Sequence, residues 1–384
     1  MDPGGDSPLQ GVRVVDLSRI LAGPLATMVL ADLGADVIKV ERPGAGDDTR
    51  RWGPPFVGGD TAYFLSLNRN KRSIALDLQS SEGADVVRRI TLGSDVLIEN
   101  FRPGLMDRFG IGLESLRRDN PRLVTCSLTA FGANDGERSS RPGYDIIVQA
   151  LSGLMSITGE RDGEPTKVGV ALLDVITGLY AAIGIQAALV ERERTGRGRH
   201  VSVSLFDASV AALVNQAANH LLGGLVPGPL GSEHPNIVPY QMFHARDRPF
   251  ILAAGNDKLF AATCDVLGRT DLASDERFAT NDARVASREE LIPQLSAAFS
   301  ERTAAHWLEV LGAAGVPCAP IRRLDEVFAS PEGAATVQTV DDPGRGPLRL
   351  VAGPIRIDGA VPAARRPPPR VGEHTEEILR ELDG

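Results

Sequence analysis

The stretch GVRVVDLSRILAGPLATMVLADLGADVIKVERP, Gly11 to Pro43, decides the fold. GVRVVDLS reads as a strand from Val12 to Leu17. GPLATMVLADLG reads as a short helix, with Pro24 near its start and Gly34 at its end, the positions each residue favours. ADVIKVERP returns as a strand from Val37 to Glu41. Strand, helix and strand within about 30 residues make a βαβ unit.

The same alternation continues outward. SIALDL, SDVLIENF and RLVTCSLTAFG read as further strands, with SSEGADVVRRITLG and LESLRRDN as helical pieces between them. Parallel pairing with helices over the sheet follows. HVSVSLFD alternates like a strand, and ASVAALVNQAANHLL follows as a helix. A Gly/Pro-rich passage from Gly223 to Tyr240 reads as a crossing or hinge. Beyond it, RPFILAAG is a strand and three helical segments follow, the last with Trp307, Leu308 and Leu311 on a packed stripe. The fold class is α/β. The expected layout is a flexible N-terminus (1–10), a large domain (11–222), a linker (223–241), a smaller α/β domain (242–331) and a C-terminal segment (332–384).

Composition narrows the function. The chain has 384 residues, 42% of them hydrophobic, enough for two domains. Its formal charge is 41 − 50 = −9, which argues against a general nucleic-acid binder. Cys126, Cys264 and Cys318 lie far apart without metal-ligand spacing and suit a reducing compartment. The N-terminus has no signal-like apolar run, and the longest apolar run is broken by acid, glycine and glutamine. A cytoplasmic protein with no membrane span and no metal is expected. GxGxxG, P-loop, HExxH and GxSxG motifs are absent.

Two features could carry chemistry. NRNKRS places Lys71 and Arg72 just before a strand, and ERPGAGDDTRRWG places Arg42 after one. A solvated face and a phosphate site are both open readings, since parallel sheets hold ligands beyond their strand ends. The second feature is KVGVALLDVITGLYAAIGIQAALVE, Lys167 to Glu191, an apolar helix with Asp174 at its head. Asp174 reads either as a helix N-cap or as a carboxylate kept ionised by free N–H groups and able to attack an acyl group.

The motifs LSRILAGP, ADVIKVERPGAGDDTR, NRNKRSIALDL, ENFRPG, RPGYDIIVQALSG, VALLDVITGLYAA and GRGRHVSVSLFDA occur in that order. Together they resemble family III CoA-transferases, the group that includes formyl-CoA:oxalate and carnitine CoA-transferases. The resemblance runs from GVRVVDLSRILAGP to VGEHTEEIL. It implies a Rossmann-like large domain, a small domain, a final segment returning to the large one, and a homodimer whose chains interlock. It implies that Asp174 attacks an acyl-CoA thioester, giving an aspartyl mixed anhydride and then an aspartyl-CoA thioester, from which a carboxylic acid takes CoA. Backbone N–H groups of a glycine-containing loop would hold the oxyanions. CoA is then a substrate, with no tightly bound cofactor.

For CoA binding, the resemblance points to Ile20, Leu21 and Ala22 in the first loop. Leu21 stands where formyl-CoA enzymes commonly carry glutamine. It also points to Arg42 at the adenine and phosphate end, with Lys71 and Arg72 on the next basic loop. Asn100, Phe101, Arg108 and Phe109 follow along the nucleotide and pantetheine path, and Tyr144 and Asp145 beside the thioester. α-Methylacyl-CoA racemases share the fold but carry a His-Asp pair where this chain has Tyr144-Asp145. Tyrosine, with a reference pKa of about 10, is a poor base near neutral pH. The run NIVPYQMFHARDRPFILAAGNDKLFA resembles succinyl-CoA-dependent, dicarboxylate-type transferases. A CoA-binding regulator without turnover is the reading from another class.

Overall fold

The computed structural model describes residues 7–132 and 141–383. Residues 1–6 of the expected flexible N-terminus lie outside the described residues. The chain divides into two compact units. One comprises 1–154, 168–224 and 332–384, and the other 155–167 and 225–331.

The first unit is built on strands β1 (Arg13–Asp16), β2 (Asp36–Glu41), β5 (Lys71–Ala75), β6 (Val96–Glu99), β7 (Val124–Thr129) and β8 (His200–Ser204), with a small hairpin of β3 (Phe56–Val57) and β4 (Asp60–Thr61) beside them. The six long strands form one sheet in the order β5-β2-β1-β6-β7-β8. Every pair in it is parallel. The order reverses at β1, so the crevice beyond its C-terminal end is where such sheets take ligands. Val14, Val37, Val96, Leu97 and Val124 have no solvent exposure, as expected for strands covered on both faces.

The helices of this unit are α1 (Ala22–Asp32), α2 (Ala62–Leu67), α3 (Ser81–Leu92), α4 (Leu105–Arg108), α5 (Leu113–Asp119), α6 (Asp145–Leu151), α7 (Leu172–Thr195), α8 (Leu205–Ala212) and α9 (Val214–Gly223). α7 is long and apolar enough to cross a membrane by length and composition. Its buried face, with Ala181, Ala182, Ile185 and Ala188, instead joins Ala22, Ala26 and Leu30 of α1 and strands β1, β2, β6 and β7 in one core. Alanine and glycine on both helices allow their backbones to approach closely.

The C-terminal part of this unit carries a hairpin of β12 (Val337–Asp342) and β13 (Gly346–Val351) and a last helix, Thr375–Asp383. Buried arginines tie it down. Arg50 donates to both oxygens of Glu41 at 2.8 and 2.7 Å, to Asp60 at 2.7 Å and to the Pro369 carbonyl at 2.9 Å. Arg345 bonds Asp60 as well.

In the second unit an antiparallel sheet of β9 (Tyr240–His244), β10 (Pro249–Ala253) and β11 (Cys318–Pro320) runs in the order β11-β10-β9. Phe243, Phe250, Phe299 and Trp307 make its aromatic core. Trp307 satisfies its indole N–H on the Phe299 carbonyl at 2.7 Å, so the stripe at Trp307 and Leu311 is packing.

Candidate active site

The first loop, between β1 and α1, rests on buried charge. Asp16 accepts from the Ser18 N–H at 2.9 Å, the Thr27 hydroxyl at 2.6 Å and the Lys71 ammonium at 3.1 Å. Burial alone would raise its pKa, but Lys71 and Lys39 outweigh that and lower it. Lys39 bonds the Ser18 carbonyl at 2.9 Å and Asp47 at 2.9 Å. Against its burial, Asp47 is lowered to about 2 by Lys39 and by the Thr49 N–H. Lys71 is lowered to about 8 by burial, Asp16 notwithstanding.

Above this network Ile20 holds a left-handed φ of 72°, a costly conformation for a β-branched residue. Its N–H points to both oxygens of Asp47 at 3.3 Å. Next to it, the Arg19 N–H donates to Asn100 at 2.9 Å, and the Asn100 amide returns a bond to the Arg19 carbonyl at 2.8 Å. Asn100 and Asp47 therefore clamp the loop in its strained shape.

Two clefts flank the clamped loop. One, of about 200 Å³, sits over the ends of β1, β2 and β5, between Arg42, Asp47, Leu76–Gln79, Phe101 and Phe109. Arg42 pairs there with Asp48, which also meets Arg19 at 3.3 Å. The other, of about 290 Å³, is lined by Ile20, Ala22, Asn100, Arg102, Arg141, Tyr144 and Asp174. Arg19 and Phe101 belong to both walls, and the Arg19 guanidinium lies 5.5 Å from the Phe101 ring centre.

Asp174 sits in the first turn of α7. It is not the cap of that helix. The preceding residue, Ala171, offers no side-chain cap. Asp145 caps instead, accepting the N–H groups of Leu173 at 2.8 Å and Asp174 at 3.3 Å. The helix start also does not keep Asp174 fully ionised. Burial, with the adjacent Asp145 charge, pushes its pKa up to about 7. Near neutral pH the carboxylate and the acid are both populated.

The structure brings Ile20, Ala22, Asn100, Phe101, Tyr144 and Asp174 to one cleft, and Arg42, Phe101 and Phe109 to the other. It does not bring the remaining expected residues there. The Leu21 side chain turns into the core against Met28 and Leu67. The backbones of Lys71 and Arg72 open β5 beside Val37 and Ile38, at the end of the strand away from the clefts. Lys71 is spent on Asp16, and Arg72 on Asp36, Glu377 and Glu381. Arg108 is exposed on α4 between the cleft residues Leu105 and Phe109. Asp145 lies buried behind Asp174.

Sequence reading missed Arg19, Leu76–Gln79, Arg102 and Arg141. The Leu76–Gln79 turn could have been found, since it follows the C-terminal end of β5, where ligands of parallel sheets bind. Among the described residues, no group of three or more His, Cys, Asp or Glu is placed to hold a metal.

Two clefts thus meet at one clamped loop, one of them lined by a half-buried acid. Residues 9–375 match CoA-transferase family III, and the chain belongs to that family. It is 44% identical over 396 residues to "Succinate--glutarate CoA-transferase" of Agrobacterium fabrum, covering 99% of this chain and 97% of that one. It is 43% identical over 377 residues to "Succinyl-CoA:glutarate CoA-transferase" of Mus musculus, covering 98% and 86%. A solved CAIB/BAIF family protein from Brucella suis superposes with a TM-score of 0.86 at 46% identity, covering 99% and 100%. The protein is a CoA-transferase, which moves CoA between an acyl donor and a carboxylic acceptor, and it is related to the succinyl-CoA-dependent dicarboxylate CoA-transferases.

Proposed function

We propose that this enzyme takes CoA from succinyl-CoA and gives it to a small dicarboxylic acid, with Asp174 carrying the acyl group and then CoA. The observation that carries this reading is the place of Asp174, partly buried at the head of α7 and lining a cleft that shares Arg19 and Phe101 with the one beside Arg42. The substrates in the names of these relatives, succinyl-CoA and glutarate, support the donor and the acid class.

A carboxylate oxygen of Asp174 attacks the thioester carbonyl. The C–S bond breaks, and an aspartyl–succinyl anhydride and the CoA thiolate result. The thiolate attacks the aspartyl carbonyl, releasing succinate and leaving an aspartyl-CoA thioester. The acceptor carboxylate displaces the thiolate to form a second anhydride. Attack of the thiolate on the acceptor's acyl carbon then frees Asp174 and the new CoA ester. Arg19, Arg102 and Arg141 on the cleft wall offer planar forks suited to carboxylates.

Arg42, Phe101 and Phe109 would hold the nucleotide end, and Ile20, Ala22, Asn100 and Tyr144 the arm leading to Asp174. Leu221 and Leu222 on α9 are 78% and 89% exposed, which supports a homodimer that covers them, interlocked as in the family pattern. The cysteines are all free, in keeping with a cytoplasmic setting. The test is exchange from succinyl-CoA to a panel of mono- and dicarboxylic acids, with hydroxylamine trapping and mass analysis of the enzyme. The expected mark lies on the peptide bearing Asp174 and is lost in Asp174→Ala. A mark elsewhere, or α-deuterium exchange without CoA transfer, defeats the proposal.

A further inference from the structure

An isolated helix leaves its first N–H groups unpaired, and α7 begins on a residue that cannot cap it. Those groups are met from 28 residues upstream, where the Asp145 carboxylate accepts the Leu173 N–H at 2.8 Å. The same oxygen accepts the Asp174 N–H at 3.3 Å. The other oxygen of Asp145 accepts the side-chain amide of Gln149, one turn further along α6. The Gln149 carbonyl oxygen in turn accepts the Val168 N–H at 3.0 Å. Gln149 has no solvent exposure, and its two bonds fix which end of the amide faces Asp145. One glutamine thus locks the carboxylate and also the chain running toward α7.

We propose that Asp145, held by Gln149, is the positioning residue of this active site, supplying the cap that α7 lacks and so fixing the Asp174 carboxylate at the cleft. The proposal rests on Asp174 being the nucleophile. A reacting group misplaced by about 1 Å loses on the order of 10²-fold in rate, so a remote cap on its own backbone N–H is a sensitive control. Asp145 also sets the charge around Asp174. Among the described residues, the other titratable or charged groups around that carboxylate are Tyr63 from α2, which feels its charge, and Tyr144, Arg19, Arg102 and Arg141 on the walls of the same cleft. A neutral residue at position 145 removes a repulsion and leaves Asp174 ionised to lower pH.

The experiment compares Asp145→Asn and Gln149→Leu with the unaltered enzyme, reading kcat, KM for succinyl-CoA, the pH profile of kcat/KM, thermal melting and the hydroxylamine-trapped mass. D145N is expected to lower kcat by roughly 10- to 100-fold with KM changed by less than about threefold. Its acid limb is expected to move down by on the order of one pH unit. Q149L keeps the charge and frees the carboxylate, so kcat falls while the limb stays in place. A folded D145N with the original kcat and limb overturns the proposal, as does a loss that only tracks melting with the limb unmoved. If D145N does not fold, Q149L decides, and an unaltered kcat there overturns it. The trapped adduct separates the two failures. Its absence from Asp174 in the unaltered enzyme removes the nucleophile itself. Its presence, with both variants at full rate, removes only the positioning role.

Discussion

Gly178 on α7 lies so close to Ala22 at the head of α1 that a side-chain carbon at position 178 would stand 2.5 Å from the Ala22 carbonyl oxygen. Gly178 is one turn past Asp174, and Ala22 lines the same cleft. The obstacle is backbone, so no rotamer change can relieve it. Gly178→Ala must push α7 away from α1 and is expected to cost about 1–3 kcal/mol and to lower kcat beyond the stability loss. Denaturant unfolding and steady-state kinetics on one preparation check this. Unchanged values for both would mean that the two helices separate freely.

Asp174 gives an opposite-signed prediction. Its pKa in the folded chain, about 7, stands above the ordinary 3.8, so the folded state holds its proton more tightly than the unfolded chain. That stabilisation is fully present below the ordinary value and is lost as pH rises through about 7. Asp174→Asn cannot ionise. It is expected to be more stable than the unaltered protein by on the order of 1–3 kcal/mol above about pH 8, with the difference closing toward about pH 4. Melting curves across pH measure it, and a constant offset would show that Asp174 is not perturbed.

Glu41 behaves in the reverse way. It is buried, yet accepts from Arg50 twice and from the Ser73 hydroxyl at 2.7 Å. Burial would raise its pKa, but the Arg50 bonds and charge lower it. Its contribution is present above the ordinary glutamate range and is lost as pH falls through the depressed value. Glu41→Gln leaves Arg50 underpaired in the interior and is expected to cost about 3–5 kcal/mol near neutral pH. Urea midpoints at two pH values test both the size and the sign.

Arg42 offers a test of the proposed nucleotide end. It is half-exposed and pairs only with Asp48 among the ion pairs of the described residues. Arg42→Ala is expected to weaken CoA binding by about tenfold, the scale of a charge-assisted bond, and to weaken binding of CoA lacking its 3′-phosphate much less. Calorimetry with both ligands checks this. Equal losses would assign Arg42 to packing.

Much of this was legible in the sequence because the signals were local. Runs such as Val37 to Val40, apolar but for Lys39, between glycine and proline punctuation announce buried parallel strands, and they fall in the sheet. Asp174 was legible as a carboxylate at a helix head. Its cap was not, because the acceptor comes from Asp145 in another helix. The setting of Lys71 and Arg72 was hidden for a related reason. Behind three polar residues they resemble a loop, yet β5 begins at Lys71 itself. A strand's first residues face the edge away from the ligand crevice, and partners hundreds of positions away, Glu377 and Glu381, occupy Arg72. Leu21 shows what position alone cannot tell, since Ile20 and Ala22 reach the cleft wall while the side chain between them turns inward.

The sealing of Lys39 and Lys71 beneath the first loop has a practical side. The sequence contains only four lysines. These two have no solvent exposure, while Lys167 and Lys258 are both exposed and both belong to the second unit. Apart from the α-amine, an amine-directed dye or surface linker will therefore decorate that unit and leave the sheet bearing the clefts untouched. Without a single engineered cysteine, the protein comes ready for tethering or fluorescence reporting from the unit that does not carry Asp174.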